Sequence, residues 1–132
     1  MTLKPLEYGE HFPIIADWLI EQKQPVPSRD LLPPTGIRVY DGDKAICAGF
    51  LVKTDCGVAM ISHLAADPHI HGESRSDAID RLIEALTAIA MAGGWKSVSG
   101  ACADTLPGMN ARFERLGFNK TDVGIAHYGR IF

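Results

Sequence analysis

His63 is the side chain of this sequence best suited to exchange a proton near neutral pH. It lies in a run, Val58–Ala66, that has apolar residues on both faces of a predicted strand. A neutral imidazole in such a strand can act as a general base. Side chains alternate between the two faces of a strand, and a β-bulge reverses the alternation. His63 therefore either faces a site or packs within the sheet with its ring nitrogens hydrogen-bonded.

A second group of candidate residues lies in the segment 69–80, which follows this strand. A helix that begins there would direct free backbone N–H groups and the positive end of its dipole at an anion, provided that small residues permit close approach. Ser74 and Ser76 are small enough, and His71 or Arg75 could contact the anion. The segment is therefore a candidate anion site.

Acidic residues in the same segment support a competing interpretation. Glu73, Asp77 and Asp80 would complement the helix dipole but repel an anion of the same sign. Ser74 and Asp77 could form a pair resembling a capping box. The sequence leaves both alternatives open, an anion site and a helix that caps its own N-terminus.

The elements that position these residues begin with a short strand over 3–6. An amphipathic helix follows, with Pro13 in its first turn and Ile15 and Trp18 on its apolar face. Four prolines between residues 21 and 34 exclude a central strand and disfavour a long helix. We expect a semi-rigid loop there, of the kind that often lines a site.

Turn residues and β-prone runs then predict an antiparallel meander, whose third strand is central because both of its faces are apolar. An apolar stripe with a period of 3.6 residues predicts a helix that ends at Gly93 and Gly94. Asp104 is expected to cap a further helix that stops at Gly117. The remaining predicted strands span 36–40, 45–53, 58–66, 95–102 and 125–132.

The resulting order of elements is β-α-β-β-β-α-β-α-β. It predicts an α+β (mixed α/β) fold, in which helices pack against a central mixed sheet. Together with Leu64-Ala-Ala-Asp-Pro68 before a helix and Asn110-Ala-Arg-Phe-Glu-Arg-Leu-Gly-Phe118 near the end, it resembles the GNAT superfamily of acyl-coenzyme A-dependent N-acyltransferases. The first residues are similar to small versions of that family from bacteriophage and prophage genomes. The resemblance covers nearly the whole chain and implies one GNAT-like domain, 1–132.

The resemblance also implies where acetyl-coenzyme A binds. Residues 60–66 of the predicted strand would splay from strand 97–102 and pair with the pantetheine arm, and segment 69–80 would hold the pyrophosphate. The family pattern (Q/R)xxGx(G/A) can be placed from His71, with Ser74 and Ser76 at the glycine positions, or from Arg75, with Ala78 and Asp80 there. Neither placement reproduces the motif, which indicates a lengthened turn. The implied cofactor-binding residues are Leu64, Ala65, Ala66, His71, Gly72, Ser74, Arg75, Ser76, Ala78, Asn110 and Phe113.

The implied reaction is N-acetyl transfer to a primary amine of a small molecule or a protein. His63 would be the general base. The family often has a tyrosine that protonates the departing thiolate, whereas this chain has Phe113 at that position. Tyr128 is either a substitute acid or a plain strand aromatic. The motifs depart from the family pattern, which implies an alternative. The protein would then be a GNAT-like binding or virion-associated module without catalytic activity, and it could form a homodimer.

Composition narrows the remaining classes of function. The chain has 13 basic and 16 acidic residues, a net charge of −3, and no basic cluster, which disfavours nucleic-acid binding. No apolar run is long enough for a membrane span, and no targeting segment is evident. The three cysteines form no CxxC pair, so we expect the protein to reside in a reducing compartment, the cytoplasm. His63, Asp67, His69 and His71 match no standard metal spacing, so no metal is predicted.

Overall fold

The computed structural model describes residues 1–101, 107–121, 128–130 and 132. These residues belong to two compact units, Met1–Ala101 and Cys102–Phe132. The expectation of one domain over 1–132 stays a prediction. No described helix combines the length and the apolar character that a transmembrane span requires.

The first unit is a five-stranded mixed sheet in the order β1-β2-β3-β4-β5, with two helices. The first four strands are antiparallel, and β5 is parallel to β4 because a helix carries the chain between them. The predicted meander, crossover helix and mixed α/β class are confirmed. The elements are β1 Thr2–Pro5, α1 Tyr8–Glu21, β2 Thr35–Asp41, β3 Lys44–Val52, β4 Val58–Ala66, α2 Glu73–Ala92 and β5 Ser97–Gly100, and the second unit contains α3 Pro107–Arg115.

The two helices of the first unit cover opposite faces of β3. Phe50 is fully buried in a cluster with Trp18 and Leu19 of α1. Its neighbour Gly49 approaches Leu82 and Leu86 of α2, because successive residues of a strand face opposite ways. β3 is thus the middle strand, and β4, predicted as central, is an inner strand between β3 and β5.

The described helices share one way of ending, the Schellman motif. In α3 the Phe118 N–H donates to the Phe113 carbonyl at 2.9 Å and the Gly117 N–H donates to the Glu114 carbonyl at 3.1 Å. Gly117 has a φ of 89°, a left-handed conformation that glycine adopts without strain. The predicted stops at Gly117 and after α2 are therefore confirmed. The corresponding donors are Lys23 and Gln24 in α1, and Gly94 and Trp95 in α2.

The first helix differs from the prediction at its start. It begins at Tyr8, so that Pro13 lies inside the helix and not in its first turn. The Glu7 N–H, which precedes the helix, donates to Nδ1 of His11 at 2.8 Å. A histidine that reaches back in this way leaves no Ser, Thr or Asp signal in the sequence, and Pro13 therefore suggested a later start.

Several predicted features of the C-terminal part lie outside the described residues. Among them are Asp104, the proposed cap of α3, and most of the predicted strand 125–132. Residues 128–130 and 132 are described and are not in a strand. β5 ends at Gly100 and is shorter than predicted at its start, because Trp95 and Lys96 belong to the turn that follows α2.

Acid is expected to destabilise the fold through His11, whose side chain is 3% exposed. Burial, and secondarily the positive charge of Arg38, lower the His11 pKa, although Glu10 and Glu7 act in the opposite direction. The unfolded chain therefore binds the His11 proton more readily than the folded chain does. Stability from this group is complete above the unfolded pKa of about 6.5 and is lost as the pH falls through the lower folded value.

Urea unfolding of wild type and His11→Gln between pH 5 and pH 8 measures this contribution. Glutamine can accept the Glu7 N–H but does not titrate, so the stability difference between the two proteins should shrink or reverse towards pH 5. Parallel curves would show that His11 does not carry the acid sensitivity.

Candidate functional site

A β-bulge in β4 determines where His63 points. Ala65 pairs with Ala48 of β3, but the next pair towards the start of β4 joins Ser62 to Phe50. His63 and Leu64 therefore lie together opposite Gly49, and His63 has a φ of 52°. The extra residue reverses the alternation of side chains, which places the His63 ring against Phe50, on the face covered by α1, at a centroid distance of 6.2 Å.

Gly49 makes room for this bulge. A Cβ atom at Gly49 would lie 2.6 Å from Cδ2 of Leu64 and 3.2 Å from Cδ2 of Leu82. A Cβ atom there would force the ends of the Leu64 and Leu82 side chains to shift, and Leu82, which is buried, has little room to do so. Sequence analysis assigned no role to Gly49. A glycine inside an otherwise apolar strand was the available signal for a close approach.

Substituting Gly49 with alanine is expected to destabilise the fold by about 1 to 3 kcal/mol, the usual range for overpacking a core. Adding Leu64→Ala removes the methyl group nearest to the new Cβ. The double variant should therefore be more stable than the sum of the two single effects predicts. Chemical denaturation of the four proteins gives the coupling energy, and strict additivity would exclude the proposed contact between position 49 and Leu64.

The His63 imidazole is suited to remain neutral near pH 7. Its Nδ1 lies 3.1 Å from Oγ of Ser62, and partial burial lowers the His63 pKa. A non-glycine residue held in the left-handed region is strained, and such strain is often found at functional sites. As a general base, His63 stays a prediction.

A pocket of about 110 Å³ opens beside His63. His63, Leu64 and Phe50 of the sheet line it, together with Gln24. The rest of the lining comes from α1 and from the proline-rich loop, whose place in a functional site stays a prediction. Those residues are Phe12, Ile15, Leu19, Pro25, Pro27 and Leu32.

The second half of β4 runs on beyond its pairing with β5. The parallel ladder extends from Val58–Ser97 to Ile61–Gly100 and ends there among the described residues. The Asp67 N–H donates to the Ile46 carbonyl of β3 at 2.9 Å. Backbone groups alternate in direction along the regular part of an antiparallel strand, so Ala65 also faces β3, whereas Ala66 faces the other way.

This outward edge of β4 is tied to the end of α1. The Gln22 side-chain amide donates to the Ala66 carbonyl at 2.8 Å. Nε2 of His69 lies 2.5 Å from Oε2 of Glu21. The two contacts fix the start of the β4–α2 turn against the helix that lines the pocket. Gln22 carried no pattern that would have distinguished it from an ordinary residue at a helix C-terminus.

The β4–α2 turn, residues 67–72, is organised around Asp67 and Arg75. The Asp67 carboxylate accepts the His69 N–H at 2.8 Å. The Arg75 guanidinium donates to the Asp67 carbonyl at 2.6 Å and, more weakly, to the Ile70 carbonyl at 3.5 Å. Arg75 therefore holds the turn in shape. Within the described part of the chain, no group of three His, Cys, Asp or Glu side chains is placed to hold a metal ion.

The N-terminus of α2 has no side-chain cap. Its N-cap is Gly72, with φ 79° and ψ −153°, a conformation that is essentially restricted to glycine. Ser74 does not cap the helix, because its Oγ donates to Oδ2 of Asp41 at 3.2 Å. Asp77 pairs with Arg81 at 3.0 Å. The capping-box alternative is therefore wrong. The Ser76 N–H donates to the Gly72 carbonyl at 3.1 Å, and the amides of residues 73–75 precede the first backbone bond within the helix.

The two placements of the family pattern fall on different parts of α2. Ser74 and Ser76 lie in the first turn and are half-buried, whereas Ala78 and Asp80 lie deeper in the helix. A residue beyond the first four of a helix donates its N–H to the preceding turn. Only the placement that starts at His71 therefore puts its small residues in the first turn, next to the amides of residues 73–75. His71 itself is exposed.

The second unit contains the remaining candidate residues. Asn110 is half-buried on α3. Phe113 is 8% exposed and packs edge-on against Phe118 at 5.1 Å, as the hydrophobic contact of the Schellman motif. The Tyr128 side chain is 96% exposed. The assigned roles of these three residues stay predictions.

Solved acetyltransferases share this architecture. An aminoglycoside 6'-N-acetyltransferase from Acinetobacter haemolyticus matches over 100% of both chains with a TM-score of 0.68 and 16% identity. An aminoglycoside N-acetyltransferase in complex with CoA matches over 98% of this chain and 100% of its own, with a TM-score of 0.69 and 14% identity. A Klebsiella pneumoniae protein assigned as an acyl-CoA N-acyltransferase matches over 96% and 88%, with a TM-score of 0.73 and 18% identity.

No family model and no curated protein matches the sequence. At identities of 14 to 18%, the similarity to solved structures establishes the architecture and leaves the chemistry to the site. The chain has the GNAT acyl-CoA N-acyltransferase fold.

Proposed function

We propose that this protein is an N-acetyltransferase that moves the acetyl group of acetyl-coenzyme A to a primary amine. The observation that carries the proposal is the β-bulge at His63, because it turns an imidazole towards a pocket on the same strand that leads, through the turn 67–72, to the N-terminus of α2. The amides of residues 73–75 would hold the pyrophosphate, with Gly72 permitting close approach since nothing lies within 4 Å of a Cβ built there. The edge at Leu64 and Ala66 would pair with the pantetheine arm.

In the proposed reaction, the amine nitrogen attacks the thioester carbonyl carbon. The C–N bond forms, the C–S bond breaks, and the sulfur departs as a thiolate that takes up a proton. His63, directly or through water, accepts the proton that the amine loses. A backbone N–H of β4 polarises the carbonyl, and holding the two reactants together supplies most of the acceleration. Phe113 offers no proton, so water supplies the proton that the departing thiolate takes up; the conjugate thiol has a pKa of about 8.5.

Release of free coenzyme A thiol, measured with a panel of primary amines, tests the proposal. We expect amine-dependent thiol release and a product heavier by one acetyl group in mass spectrometry. Thiol release without an acetylated product would indicate hydrolysis and contradict the proposed transfer.

Phe113 specifically favours a second candidate function, a GNAT-like binding module without catalysis. That module lacks the usual acid, so it would release no thiol with any amine. Coenzyme A binding without turnover would support this second candidate. A phage origin, a cytoplasmic location and a homodimer stay predictions.

A further inference from the structure

The described lining of the pocket beside His63 is almost entirely apolar, which is unusual for a site that binds an amine. Among its described lining residues, Gln24 and His63 are polar and there is no carboxylate. Binding a multiply charged amine would remove its ammonium groups from water without a partner of opposite charge, which is unfavourable. The pocket is therefore poorly suited to polycations such as the aminoglycosides.

The size of the pocket suits one small apolar group. Its volume is about 110 Å³. An engineered protein cavity of about 150 Å³ lined by apolar residues binds benzene. The pocket beside His63 also opens to solvent at the exposed histidine, so a short alkyl chain or a phenyl ring can enter and leave a polar atom at the mouth.

The pocket wall is held in place before any ligand arrives. The loop carries Pro25 and Pro27, whose backbones are fixed at φ near −65°. It then forms a 3₁₀ turn, Arg29–Leu31, in which the Leu32 N–H donates to the Arg29 carbonyl at 3.2 Å. Leu32 packs against the core cluster below α1. A wall of this kind selects ligands by shape at little ordering cost.

We propose that this pocket receives the apolar substituent of the acceptor, so that the acceptor is a primary amine carrying a short alkyl or phenyl group. The inference rests on the proposed acetyl transfer, because it assigns the amine nitrogen to the mouth of the pocket beside His63. It goes beyond that function because it predicts that the protein acetylates apolar primary amines in preference to polycationic and small polar amines.

A homologous series of n-alkylamines tests the acceptor class. Each methylene that enters the pocket should raise kcat/KM about fourfold, the equivalent of about 0.8 kcal/mol, until the pocket is full and the values level off. 2-Phenylethylamine should be a better acceptor than ethanolamine or kanamycin. Equal kcat/KM across the series, or a preference for kanamycin, would overturn the inference while leaving the acetyltransferase proposal intact.

Two matched variants test the pocket itself. Leu32→Trp should fill it and raise KM for 2-phenylethylamine at least tenfold, and it should raise KM for ethanolamine by a smaller factor. Leu31→Trp is the control, because Leu31 is the preceding residue, is 58% exposed and does not line the pocket. An equal effect of the two variants would contradict the assignment.

Ligand-observed NMR with 2-phenylethylamine in the absence of acetyl-coenzyme A separates the two proposals. Saturation transfer in wild type and Leu31→Trp, but not in Leu32→Trp, would support the pocket even if no amine were acetylated. No saturation transfer in wild type at millimolar amine would overturn the inference.

Discussion

Replacing His63 with asparagine is expected to lower kcat for amine acetylation about a hundredfold or more near pH 7, the usual effect of removing a general base. Asparagine is the appropriate substitution because it tolerates the left-handed conformation that His63 adopts, with a φ of 52°. The bulge should therefore persist, and the dissociation constant of coenzyme A should change less than twofold. Steady-state kinetics and calorimetric titration measure the two quantities.

The pH profile distinguishes a base from a structural residue. In the wild type, kcat should fall below the lowered His63 pKa, because the protonated imidazole cannot accept a proton. The His63→Asn profile should lack that step and should recover part of the rate at high pH, where the free amine is more abundant. Lys23→Asn is a matched control, since Lys23 is also held at positive φ, 56°, and does not line the pocket. Wild-type kcat in His63→Asn would rule out the assigned role.

Reversing the charge of Arg75 is expected to weaken coenzyme A binding at least a hundredfold. Arg75→Glu removes the hydrogen bonds to the Asp67 and Ile70 carbonyls that shape the turn. It also places a carboxylate in the first turn of α2, where it would repel the pyrophosphate at the helix N-terminus. Calorimetric titration of wild type and variant gives the ratio of dissociation constants.

Arg81→Glu provides the control for this prediction. It makes the same change in net charge on the same helix, but Arg81 is exposed and pairs with Asp77 further along α2. We expect less than a threefold change in the dissociation constant. If both variants weakened binding equally, net charge and not the turn would be responsible.

The sequence was sufficient to predict most of the sheet. β4 occupies the predicted residues Val58–Ala66, because turn residues bracket a run of nine β-prone residues. The ends of α2 and α3 were also predictable, since glycine marks a left-handed cap. In α1 the residue at the left-handed position is Lys23 and not glycine. The end of that helix therefore carried no glycine signal in the sequence.

The geometry of the site was less accessible from sequence. The bulge depends on a non-glycine residue at positive φ and on a contact between Gly49 and Leu64, residues fifteen positions apart along the chain. No local pattern specifies that contact, because it arises when two strands and α2 pack together. The Ser74–Asp77 pair was misleading for the same reason, since the Ser74 hydroxyl bonds to Asp41, which is distant in sequence.

The central claim is that coenzyme A binds along the outward edge of β4 and at the N-terminus of α2. Titrating coenzyme A into ¹⁵N-labelled protein and following the backbone amide resonances tests it directly. The amides of Leu64, Ala66 and residues 73–75 should shift together with one micromolar dissociation constant. An unchanged spectrum at millimolar coenzyme A, or shifts confined to other parts of the chain, would contradict the claim.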